Sequence, residues 1–172
     1  MVDIIFIDDN YLYKNFPLPK RLDRGALLAL IQLEQYTSIQ DLLGSCLYED
    51  LETKVLGETL DTDEQELFKL VKYCLAMYSA KAAISVLRSE TARTKNEEGK
   101  SDQRSLDAIS STVESKITYI NKRIVNYILG KTVIKAIATA EGCDNDLFEA
   151  EDVYQDASVF YPKSSTSDSE CE

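Results

Sequence analysis

Histidine is absent from this chain, and so is tryptophan. Without an imidazole there is no Ser–His or Cys–His nucleophile pair, no histidine base near neutral pH and no mixed Cys/His zinc site. Positive charge is scarce as well. Nineteen Lys and Arg stand against 30 Asp and Glu, a formal charge of −11 over 172 residues. Phosphate binding needs a basic face, so a general nucleic-acid binder is disfavoured. The longest apolar run, Ala26 to Ile31, is far short of the roughly 20 residues of a spanning helix. The stretch Met1 to Asp9 lacks the basic region, apolar length and cleavage site of an export signal. No membrane segment is therefore expected. Cys46, Cys74, Cys143 and Cys171 show no C-x-x-C spacing, and are expected to be scattered reduced thiols, not a metal site or a disulfide framework. Gly130-Lys131-Thr132 imitates the end of a phosphate-binding loop, but Val125 stands where that loop needs a glycine.

What is present is unevenly placed. Ten acids and a single base, Lys163, lie between Glu141 and Glu172, and carry −9 of the −11. The rest is a nearly neutral body. The pattern predicts three parts: an extended N-terminal arm over 1–21, a helical bundle over 22–142, and an acidic C-terminal arm over 143–172 with a disordered, Ser-rich end. The fold class expected is all-α, a small helical bundle.

Val2, Ile4, Ile5, Phe6 and Ile7 favour a strand, and Phe16-Pro17-Leu18-Pro19 excludes continuous helix. Asp23 reads as the N-cap of a helix to about Tyr36, and Thr37-Ser38, with Gln40, as a fresh cap for the next. Gly44 in that second helix marks either a close backbone approach or a kink. Thr62-Asp63-Glu64-Gln65 reads as a capping box for a central helix to about Leu87 that is apolar on two faces. From Arg88 to Ser105 the only apolar residue is Ala92, which suits a flexible connection or a solvated helix end. Leu106, Ile109, Val113, Ile117, Ile120, Ile124 and Ile128 then form a stripe of period 3.67, that of a straight amphipathic helix.

Candidate sites are few. Asp8-Asp9 and Asp61/Asp63 do not match a calcium loop, and the second pair serves as caps. No convergent polar set for catalysis can be assembled, so no enzyme, cofactor or metal is expected. Of the ten tyrosines, Tyr36, Tyr48, Tyr73 and Tyr78 suit the core. The arms hold the interface candidates: Phe6, Tyr11, Tyr13 and Phe16 at one end, and Leu147, Phe148, Val153, Tyr154, Val159, Phe160 and Tyr161 at the other. A purely solvating tail has no use for the last seven.

The stretch Leu30 to Leu51, with Gln35-Tyr36, then Ile39, then Leu43-Gly44-x-x-Leu47-Tyr48-x-x-Leu51, resembles the head–tail connector (neck adaptor) proteins of tailed bacteriophages, most closely those of crAss-like and related Bacteroidetes phages. The resemblance covers about residues 20–160 in layout and Leu30–Leu51 in detail. It implies a structural virion protein of the neck, assembled in the host cytoplasm, with twelve copies in a ring under the portal. That ring would extend the DNA channel, let DNA pass without specific binding, and meet the portal protein above and the next neck or tail ring below. The residues matching the family's clasping termini are 1–16 and 144–161. A non-structural acidic binding protein, either a nucleic-acid mimic or a helical regulatory adaptor, is the alternative.

Overall fold

The computed structural model describes residues 4–19, 22–91, 97–140 and 143, and all regular structure among them is helical. The all-α bundle expected from the periodicity is the fold. Helix α1 (Asp9–Asn15) opens at Asp8, whose carboxylate accepts the Tyr11 N–H at 2.8 Å. That hydrogen bond holds the Asp8 carboxyl below its usual pKa. The expected extended arm over 1–21 is thus corrected. Residues 4–8 and 16–19 are non-helical, but a two-turn helix capped by Asp8 stands between them and buries Leu12 completely.

Asp23 caps α2 (Arg24–Glu34) as expected, accepting from the Gly25 and Ala26 N–H groups. The fresh cap expected at Thr37-Ser38 does not form. Instead the chain runs on through a π-helical turn (Gln35–Ile39) into α3 (Gln40–Leu43). Thr37 Oγ1 donates back to the Leu33 carbonyl and Ser38 Oγ to Glu34 Oε2, so both hydroxyls are spent on the preceding turn and neither caps the next. Gly44, at φ 76°, ends α3 and begins α4 (Ser45–Leu56). That backbone is cheap only for glycine, and it makes Gly44 a sharp corner.

The capping box of α5 (Thr62–Thr91) is set one residue earlier than expected. Asp61 Oδ1 accepts the Glu64 N–H at 2.8 Å, while Glu64 Oε2 accepts the Asp61 N–H at 3.0 Å. Helix α5 is the central element, packed against α6, α2, α1 and the π turn. Its Leu67, Val71, Cys74, Leu75, Ala76, Ala80 and Ala83 are fully enclosed, and the three alanines let neighbours approach closely. Over Thr62–Ser89 it is long and apolar enough to cross a membrane, which a search for unbroken apolar runs misses; here those apolar faces are largely covered by the other helices.

Helices α5 and α6 (Glu97–Leu129) form an antiparallel pair, joined by Arg88–Asp107 at 2.7 Å near one end and by Tyr127 Oη donating to the Asp63 carbonyl at the other. The polar connection expected over 88–105 is mostly helix, because α5 continues to Thr91 and α6 begins at Glu97. Glu, Lys, Arg and Gln are good helix formers, so the lack of an apolar stripe removes packing without breaking the helix. The stripe itself is as read: Leu106, Val113, Ile117, Ile120, Ile124 and Ile128 are buried and Ile109 is half-buried. Gly130 ends α6, and α7 (Thr132–Ala138) folds back on α6 and packs on α4.

Packing of α4 on α7 brings Cys46 and Cys143 into a disulfide, with Cα atoms 5.5 Å apart across 97 residues of sequence. The expectation of scattered reduced thiols is corrected for this pair. It holds for Cys74, which is free and buried.

Candidate interaction surfaces

Chemistry in the described part of the molecule gathers at four places. The first is the N-terminal strap. Gln35, fully buried on the π turn, accepts the Phe6 N–H at 2.8 Å through Oε1 and donates through Nε2 to the Ile4 carbonyl at 2.7 Å and the Tyr48 hydroxyl at 2.9 Å. One amide thus pairs with the strap backbone as a neighbouring strand would. Phe6 meets Phe68 edge-on at 5.2 Å and Tyr48 at 5.6 Å, while Phe16 stacks on Tyr73 at 6.1 Å. Phe6 and Phe16, read from sequence as interface residues, therefore belong to this chain's own core. Tyr11 and Tyr13 are half-buried. Burial, and then the nearby Tyr73, push the Tyr11 phenol above its usual pKa. The strap, Tyr11, Leu28 and Lys72 enclose an open depression of about 300 Å³. Lys72 Nζ sits over the Phe68 ring at 5.0 Å and the Tyr11 ring at 5.9 Å.

The second place is the polar end where α4, α5, α6 and α7 meet. Lys54 pairs with Asp50 at 2.7 Å and also with Glu64, whose side chain is only 4% exposed. The hydrogen bonds that Lys54 donates, to Asp50 first and Glu64 second, raise its pKa. Lys131 Nζ bonds Asp63 Oδ1 at 2.8 Å, which raises the Lys131 pKa in the same way. The acids suspected of metal binding are spent here and at α1, where Asp9 pairs with Arg24 at 3.2 Å. Among the described residues no cluster of ligating side chains could hold a metal ion.

A third place is the outward face of α6, which sequence reasoning missed. Its buried stripe faces α5, and the opposite side carries Lys116, Tyr119, Lys122 and Arg123, all exposed. Tyr119 is 66% exposed, with Lys116 three residues before it and Lys122 and Arg123 three and four after. Such spacings place the four side chains side by side. Among the described residues the three cations have no ion-pair partner. A signal was present in the sequence: between Glu114 and Glu141 there is no acid and there are five bases. The net charge of −11 hides it.

The fourth is the start of the acidic segment, pinned to α4 by the Cys46–Cys143 bond. Leu147, Phe148, Val153, Tyr154, Val159, Phe160 and Tyr161 lie outside the described residues. The Leu30–Leu51 stretch that carries the resemblance falls on α2, the π turn, α3, Gly44 and α4. Its Gln35, Ile39, Leu42, Leu43, Leu47, Tyr48 and Leu51 are all buried. No protein-family model, curated protein or solved structure matches the chain.

Proposed function

We propose that the protein is a structural component of a tailed-phage virion, a head–tail connector that forms a ring of twelve copies under the portal, extends the DNA channel and joins head to tail. The observation that carries this proposal is that the residues of the resemblance form one connected, buried unit. Gln35, Tyr48 and the Gly44 corner act together to fold α2 back through α3 into α4 and to hold the N-terminal strap. A shared pattern of that kind reflects a shared local fold more readily than chance similarity of separate helices.

In that setting a small rigid bundle supplies the wall of the ring, and the acidic C-terminal segment is left to reach the portal, a neighbour or the next ring. DNA must slide past without adhering, so the wall of the channel is formed by neutral or acidic surface and the cationic face of α6 is turned toward protein. The competing proposal, a nucleic-acid mimic, requires an anionic folded surface. The cations of α6, which have no ion-pair partner among the described residues, speak against it.

The deciding experiment is quantification of this polypeptide relative to the portal protein in purified virions of its source phage. A ratio near one to one is expected. Absence from particles overturns the connector proposal and leaves a helical regulatory adaptor as the successor.

A further inference from the structure

We propose that the outward face of α6 around Tyr119 is the docking surface for the acid-rich segment, residues 144–161, of a second copy of this chain. The inference deepens the ring proposal, on which its biological setting rests, by naming the contact that links one copy to the next.

Three observations on separate parts of the molecule lead there. Lys116, Lys122 and Arg123 surround an exposed aromatic ring on the side of α6 turned away from α5, and none of the three has an ion-pair partner among the described residues. Exposed bases without acids nearby are unusual in a chain with 30 acids, and here the acid-free stretch runs unbroken for 26 residues. The complementary chemistry exists in the same polypeptide. Residues 144–161 contain six acids, no base and seven large apolar side chains, including Phe148, Tyr154, Phe160 and Tyr161. A basic face centred on an aromatic suits a peptide that alternates acids with aromatics, since rings stack while carboxylates pair with the flanking cations.

The ring proposal makes a second copy the source, and the disulfide fixes where its segment starts. Cys143 is fixed to Cys46 at the start of α4, and α4 packs on α7. The acid-rich segment therefore starts from the α4–α7 side, whereas the cationic face lies on the side of α6 turned away from α5. Each copy thus has one donor segment and one acceptor face at different places. That is a heterologous contact, which closes into a ring when the rotation between copies permits. A free polyanion such as duplex DNA competes poorly with a segment held at high local concentration by every neighbour.

Charge reversal tests the contact on the full-length chain. Lys116→Glu, Lys122→Glu and Arg123→Glu together invert the face, and Glu149→Lys, Glu151→Lys and Asp152→Lys together invert the segment. The substituted residues of α6 are exposed, and an unchanged circular-dichroism melt checks that the fold is intact. Sedimentation velocity should show the wild type self-associating, with association weakening about tenfold or more when salt rises from about 0.05 M to about 0.5 M. Either reversed chain alone should be monomeric, and an equimolar mixture of the two should associate again. A wild type that stays monomeric overturns the proposal, as does a mixture that fails to associate. So does a monomeric wild type that binds duplex DNA through the same three cations, or one whose segment is protected from protease in cis. Because the readout is association in solution, it is separable from the virion measurement. Restored association by a protein absent from particles would keep the contact and remove the connector.

Discussion

Gln35 and Phe6 are joined by a hydrogen bond of 2.8 Å that spans 29 residues and lies wholly inside the protein. The same side chain holds Ile4 and Tyr48, so a single amide ties the strap to the π turn and to α4. π-helical turns are rare and favour functional positions. Here the turn sets Gln35 where its amide meets backbone instead of water.

Replacing Gln35 with Leu should therefore leave the Phe6 N–H, the Ile4 carbonyl and the Tyr48 hydroxyl without that partner. The expected cost is about 1–3 kcal/mol for a buried polar group left unpaired. Urea denaturation gives the stability, and hydrogen exchange at Phe6 gives the cause. If the Phe6 amide stays protected in the variant, packing of its ring and not Gln35 holds the strap.

The buried stripe of α6 yields a harsher outcome. Val113→Asp with Ile120→Asp puts two carboxylates at positions 1% and 3% exposed. Ionised groups cannot be buried there unpaired. The bundle should lose its cooperative melt by circular dichroism; a melt like that of the wild type would mean that α6 does not pack on this face.

Removing the cross-link should lower stability without changing the fold. The Cys46–Cys143 bond closes a loop with a sequence separation of 97. On the chain-entropy account such a closure contributes about 4–5 kcal/mol by restricting the unfolded chain. Cys46→Ser with Cys143→Ser should lower Tm, and reductant added to the wild type should reproduce the shift. A wild-type Tm insensitive to reductant would show that the two thiols are not bonded.

Cys74 makes stability depend on alkaline pH. Burial pushes its thiol from 9.0 up to about 12 in the folded protein, and its Sγ donates to Asn121 Oδ1 at 3.2 Å. The folded state thus holds the proton more tightly than the unfolded chain. This contribution is complete below pH 9.0 and is lost as pH rises from 9.0 toward about 12, where the unfolded thiol ionises and the native one does not. Urea midpoints should fall over that range, and less steeply in Cys74→Ala. Equal slopes in the two proteins would assign the loss to the tyrosines, among which Tyr78 is also raised, chiefly by burial.

Much of the architecture is legible without coordinates because it is written in local periodicity. The 3.67-residue stripe from Leu106 to Ile128 can be buried only as one face of a straight helix, and the two apolar faces of α5 require neighbours on both sides. Asp23 starts α2 through its own carboxylate, which accepts the Gly25 and Ala26 N–H groups. Misreadings arose where two local signals competed. The β-favouring run Val2 to Ile7 and the prolines after Phe16 suggested an extended arm over 1–21, but Asp8 is also a good cap, and α1 forms behind it with Leu12 buried. At Thr37-Ser38 the hydroxyls suit a cap or a back-bond equally, and the chain takes the back-bond, with Gln35 buried on the same turn. The arm aromatics Phe6 and Phe16 were misjudged because amphipathic position along an extended segment does not say whether its apolar side meets a partner or its own body.

The sequence by itself determined the long helices α5 and α6, the central role of α5 and the division into a near-neutral body and an acidic end, since each depends on residues close together in the chain. Only the tertiary structure decided that Cys46 meets Cys143, that Gln35 grips residues 4–6, and that Lys116, Lys122 and Arg123 share an outward face with Tyr119 without counter-ions among the described residues. The first two join residues 29 to 97 positions apart. Contacts of that range leave no periodic trace, because they are set by how the helices pack. The third is visible as a gap in the acids, but whether a cation faces solvent or a carboxylate is settled by the surfaces around it.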